Sequence, residues 1–110
     1  MAPLEADATL QEIVARLVRA VDPDKLVLFG SRAAGRGRPG SDYDVLIVKA
    51  ESDPRQRRTG SLYQHLWSIP GAVDLLWFTP EEVDEWSQVL RHVATQALRD
   101  GVVVYEKQTG

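Results

Sequence analysis

Three acidic residues and one glycine-serine pair are where this chain could do chemistry. Gly30-Ser31 ends the apolar run Lys25-Leu-Val-Leu-Phe29, and ten residues later come Asp42 and Asp44, at the head of Asp42-Tyr-Asp-Val-Leu-Ile-Val-Lys49. Residues two apart on a strand face the same side, which sets these carboxylates roughly 6–7 Å apart. At an effective dielectric near 20 such a pair repels by about 2–3 kcal/mol. A divalent cation between them removes that cost, because hard cations such as Mg2+ take carboxylate oxygens together with phosphates. Gly30 lets another group approach the backbone closely, and a helix opening at Ser31 would offer N–H groups to phosphate oxygens. Arg32 follows directly and is the arginine best placed to assist.

Asp74 stands alone inside the apolar run Ala72-Val-Asp-Leu-Leu-Trp-Phe78. An ionised carboxylate there needs a partner or an exposed position. If its strand lies beside that of Asp42 and Asp44, three carboxylates converge, which is the arrangement of two-metal phosphoryl chemistry. The plainer reading pairs Asp74 with a nearby arginine and leaves Asp42 as the end of a loop.

Competing patterns are weaker. Gly35-x-Gly37-x-x-Gly40 has the spacing of a dinucleotide fingerprint, but it starts six residues after the strand and contains Pro39, which opposes a helix. Gly30-x-x-x-x-Gly35 fails as a P-loop because Arg36-Gly37 stand where Lys and Ser/Thr belong. Asp22-Pro-Asp24 reads as a turn. His65 and His92 have no acids at ligand spacing and read as packing or surface residues. Trp67, Trp77 and Trp86 read as core anchors, and Arg55-Gln-Arg-Arg58 as a solvated helix start.

The elements that must carry these residues follow from periodicity. Leu10, Ile13, Val14, Leu17, Val18 and Val21 recur at helical spacing, with Thr9-x-x-Glu12 as a capping box and Pro23 as the stop. Strands are predicted over 25–29, 42–49, 72–78 and 102–105. A short helix can open at Ser31. The stretch from Ser52 to Trp67 is predicted helical with Leu62 and Leu66 facing inward, and Pro70-Gly71 is a turn. Thr79-Pro80-Glu-Glu82 starts the next helix, which continues to about Leu98 and closes at Gly101. The order predicts an α+β (α/β) domain with a small sheet.

Composition narrows the class. The chain has 110 residues, 44% hydrophobic and 26% charged, with no cysteine and a net charge of −3. That is the balance of one ordinary globular domain, without disulfides or thiolate metal sites. No apolar run reaches the ~18 residues of a membrane span, and the acidic start is not a secretory signal, so a cytoplasmic location without membrane contact is expected. Residues 32–58 hold seven basic residues against four acids, inside a chain that is acidic elsewhere. This suits a small anion such as a nucleotide and argues against direct nucleic-acid binding.

Leu28-Phe-Gly-Ser-Arg-Ala33, followed by Ser41-Asp-Tyr-Asp-Val-Leu-Ile-Val48, resembles the signature of the DNA polymerase β-type nucleotidyltransferase superfamily, with the Gly-Ser-x10-Asp-x-Asp spacing met without a gap. Small size and the closing Ala97-Leu-Arg-Asp-Gly-Val-Val-Val-Tyr-Glu106 make the chain similar to the minimal nucleotidyltransferases. The resemblance runs from about Leu10 to Glu106 and implies one domain over residues 1–110, a small mixed sheet flanked by helices. It further implies transfer of a nucleoside monophosphate from a triphosphate, ATP above all, to a hydroxyl with Mg2+, two ions in the family's manner. Gly30, Ser31 and Arg32 would then hold the triphosphate. Asp42, Asp44 and Asp74 would be the metal ligands and catalytic carboxylates, Asp74 also helping to deprotonate the acceptor. Minimal family members commonly act as antitoxins beside an all-helical HEPN toxin, and some adenylylate that toxin on tyrosine. The alternatives are a non-catalytic antitoxin or nucleotide-binding module acting by partner binding alone and, last, transfer to a small molecule.

Overall fold

The computed structural model describes residues 7–30, 42–51, 53, 55, 59–86 and 101–108. In chain order these form α1 (Ala8–Val21), β1 (Lys25–Phe29), β2 (Tyr43–Val48), a 3-10 helix (Thr59–Leu66), β3 (Val73–Phe78), α2 (Pro80–Trp86) and β4 (Val102–Glu106). The strands make one mixed sheet in the order β3-β2-β1-β4. β1 is antiparallel to both β2 and β4, whereas β2 and β3 are parallel. The expected mixed sheet with helices is therefore present. The short helix at Ser31, residues 87–100 with His92, and the site residues Ser31 and Arg32 lie outside the described residues.

Alternation along the strands divides the core in two. Leu26, Leu28, Tyr43, Val45, Ile47, Val73 and Leu75 pack against Leu10, Ile13, Leu17 and Val21 of α1 and against Leu62 and Leu66. On the opposite face Val27, Leu46 and Val48 pack with Phe29, Leu76, Phe78 and Val83 of α2. Covering both faces explains why β2 is apolar at every position after Asp44, since a strand buried on two sides loses the polar alternation of a half-exposed one.

Helix α1 begins two residues earlier than the Thr9 capping box predicts. Asp7 keeps an extended backbone and its carboxylate accepts the Leu10 N–H at 3.0 Å. Thr9 is already helical, and Glu12 pairs instead with Arg16 at 2.9 Å across one turn. Asp7 wins because a second donor, the Tyr43 hydroxyl, also reaches it. The second capping box forms as expected: Thr79 N–H donates to Glu82 at 2.9 Å, and Glu82 N–H donates to Thr79 Oγ1 at 3.1 Å.

The segment before β3 departs from expectation. Residues 59–66 form a 3-10 helix, with Leu62 and Leu66 buried as predicted. Trp67 is not a core anchor: it is 83% exposed. Arg16 donates to the carbonyls of His65 and Trp67, and Ser68 takes φ +74°, so the chain turns outward before the tryptophan can pack. Trp77 is partly buried and donates its indole N–H to Lys49 O at 3.1 Å. Among the described residues no helix is long and apolar enough to cross a membrane.

Candidate active site

The parallel pairing of β2 and β3 sets Tyr43 opposite Val73 and Asp44 opposite Asp74. Adjacent strands lie about 4.8 Å apart, so two carboxylates in register on one face meet unless something separates them. Both belong to the face that carries Leu46, Val48, Leu76 and Phe78 and that α2 covers further along. They occupy its open end, where β1 finishes and β2 and β3 begin. Asp42 lies one residue before β2, in step with Asp44, and is exposed. Asp74 is exposed as well, which answers how an acid is tolerated inside an apolar strand.

Asp44 is half-buried, and its carboxyl is held above the ordinary carboxylate value. Burial is the largest cause, followed by the neighbouring Asp74 carboxylate and then the charge of Asp42. The three acids are electrostatic neighbours, Asp74 and Asp42 both acting on Asp44 through charge.

On the side of β1, Phe29 pairs with Asp44 and Gly30 follows it. Gly30 has φ +79°, and a Cβ placed there would overlap Asp44 Oδ2 and stand 3.3 Å from its Cγ. The glycine is thus required twice, by its left-handed backbone and by the carboxylate against it. It closes one wall of the acid cluster.

The donor set is all carboxylate, the chemistry that hard oxygen-seeking cations select. A cation there would relieve the repulsion that raises Asp44. Among the described residues, however, no three His, Cys, Asp or Glu side chains stand close enough together to enclose a metal ion. The structure thus sets Asp44 and Asp74 in register on neighbouring strands, with Asp42 two residues before Asp44.

Sequence reasoning overlooked the support beneath this site. The Tyr43 hydroxyl donates to the Asp7 carboxylate at 2.8 and 3.0 Å, and the Tyr43 N–H donates to Ala72 O at 2.9 Å, just before β3. Only the cap preference of Asp7 was visible in the sequence. Tyr63 was also unremarked: its hydroxyl accepts the Leu75 N–H at 3.0 Å, on the edge of β3 that has no strand neighbour among the described residues.

Comparison with known proteins identifies the family and the fold. The family described as "Polymerase beta, Nucleotidyltransferase" matches residues 11–110. No curated protein matches the chain by sequence. A toxin–antitoxin crystal structure with AMP-PNP is 26% identical at a TM-score of 0.63, covering 89% of this chain and 73% of that one. A mutant of the MntA–HpeT toxin–antitoxin is 25% identical at a TM-score of 0.61, covering 90% and 73%. A candidate nucleotidyltransferase from Sulfolobus solfataricus shares the fold, at 24% identity, a TM-score of 0.61 and coverage of 93% and 81%. With Gly30 and Asp42-x-Asp44 set at the open end of a mixed sheet, the chain belongs to the polymerase beta nucleotidyltransferase family.

Proposed function

We propose that this chain is a Mg2+-dependent nucleotidyltransferase that moves AMP from ATP to a hydroxyl, a tyrosine by preference, of a partner protein. We place it as the antitoxin of a minimal nucleotidyltransferase/HEPN toxin–antitoxin pair, with residues 1–110 working as one domain in the cytoplasm. The observation that carries the reading is the register of Asp44 against Asp74, with Asp42 two residues before Asp44 and Gly30 against its carboxylate. The likeness to a toxin–antitoxin structure with AMP-PNP supports both the nucleotide and the partner.

Gly30, Ser31 and Arg32 hold the triphosphate. Asp42, Asp44 and Asp74 hold magnesium, which supplies the positive charge that neutralises the phosphates. Asp74, exposed on the edge strand, meets the incoming acceptor and takes its hydroxyl proton. The acceptor oxygen bonds to the α-phosphorus and pyrophosphate leaves with its bridging oxygen.

Calorimetry with ATP, with and without Mg2+, tests the site on the wild type and on Asp42→Asn/Asp44→Asn. Binding that needs both metal and acids, followed by an added AMP on the co-expressed partner in intact mass, is the expected result. The second reading is neutralisation by contact alone. It would be supported if the double variant kept full protection of cells.

A further inference from the structure

We infer that Tyr43 is a positioning residue for Asp42 and Asp44, acting through its hydroxyl bond to Asp7. The inference rests on the reading of those acids as the nucleotide- and metal-binding groups. Tyr43 separates the two acids in sequence, and its side chain, 4% exposed, enters the core on the α1 side of the sheet. There its hydroxyl donates to both oxygens of Asp7, at 2.8 and 3.0 Å, while Asp7 Oδ1 also caps α1 through Leu10 N–H at 3.0 Å. The Tyr43 main chain is fixed as well: its N–H donates to Ala72 O at 2.9 Å and its Cα pairs with Val73, the residue before Asp74.

One residue thereby ties the start of α1, the start of β2 and the start of β3. Successive strand residues share peptide planes and point to opposite faces. A rotation of Tyr43 therefore turns Asp42 and Asp44 with it, and the Asp7 bond resists that rotation. The acids need such a hold because they repel one another and stand at a strand's first residues, where pairing begins.

The test compares binding of Mn2+-ATP with unfolding midpoints in the full chain. Tyr43→Phe, which removes only the hydroxyl, is expected to weaken binding about tenfold, the scale on which groups behind a metal ligand act. Asp7→Ser keeps the helix cap but is too short to reach Tyr43, and should match it. Asp7→Asn keeps an acceptor oxygen for both donors and should restore near wild-type affinity. Leu66→Ala, buried in the same core, should lower the midpoint at least as far while leaving affinity within twofold. Tyr43→Phe binding as the wild type does, or losing affinity only in proportion to stability as Leu66→Ala does, overturns the positioning role and leaves the proposed function standing. A wild type that binds no Mn2+-ATP overturns both.

Discussion

Gly30 and Asp44 occupy each other's space: the position of a side chain on the glycine is filled by the aspartate's carboxylate. The backbone at Gly30 is also left-handed, at φ +79°. Gly30→Ala therefore meets two penalties at once, the left-handed cost of about 1–2 kcal/mol and displacement of the acid. We expect a lower unfolding midpoint together with lost ATP binding. Thermal unfolding read beside calorimetry checks this, and a variant that binds ATP normally would refute the contact's importance.

Asp44 should lower the stability of the metal-free protein. Its folded carboxyl lies above the ordinary value through burial and the nearby Asp74 and Asp42 charges. The native state thus holds its proton to higher pH than the unfolded chain does, so stability falls as pH rises from the ordinary carboxylate range through the folded value. Asp44→Asn should raise the unfolding free energy at neutral pH in chelator, and the midpoint with it, by no more than about 1 kcal/mol, because solvent screens a half-exposed group. That gain should shrink at low pH, where both side chains are neutral. An unchanged midpoint at neutral pH would contradict the crowding of the three acids.

The residues that build each strand were legible because burial on two faces leaves apolar runs too short for helices, as in Lys25–Phe29 and Tyr43–Val48. α1 showed in the spacing of Leu10, Ile13, Leu17 and Val21. The pairing of Asp44 with Asp74 was not legible, because it depends on β3 lying parallel to β2, a relation between segments 30 residues apart. The same holds for the start of α1. Asp7 and Thr9 both have side chains that cap helices, and the choice between them is made by Tyr43, far along the chain. Trp67 was misjudged because the hydrophobicity of a tryptophan says nothing of Arg16, which holds the turn that presents it to solvent.

The Thr79–Glu82 capping box satisfies two N–H groups at the start of α2 reciprocally. Helix caps are worth about 1 kcal/mol when replaced by alanine. Thr79→Ala should therefore lower the unfolding midpoint by about 4–8 °C for a domain of this size. Thermal unfolding of Thr79→Ala checks the value. A loss well below it would mean that Pro80 and Val83 suffice to start the helix.

Tyr63 sits on the edge of β3 that faces away from β2. Its hydroxyl accepts the Leu75 N–H, which faces away from β2. Removing the hydroxyl with Tyr63→Phe exposes that donor, at a cost of about 0.5–1.5 kcal/mol. The sharper measurement is amide exchange, because the loss is local. The Leu75 amide should exchange faster in the variant, while amides of β1, the interior strand beyond β2, keep their rates. Equal acceleration across the sheet would assign Tyr63 a role in global stability alone. No change at Leu75 would mean that another group, or water, satisfies the edge in its place.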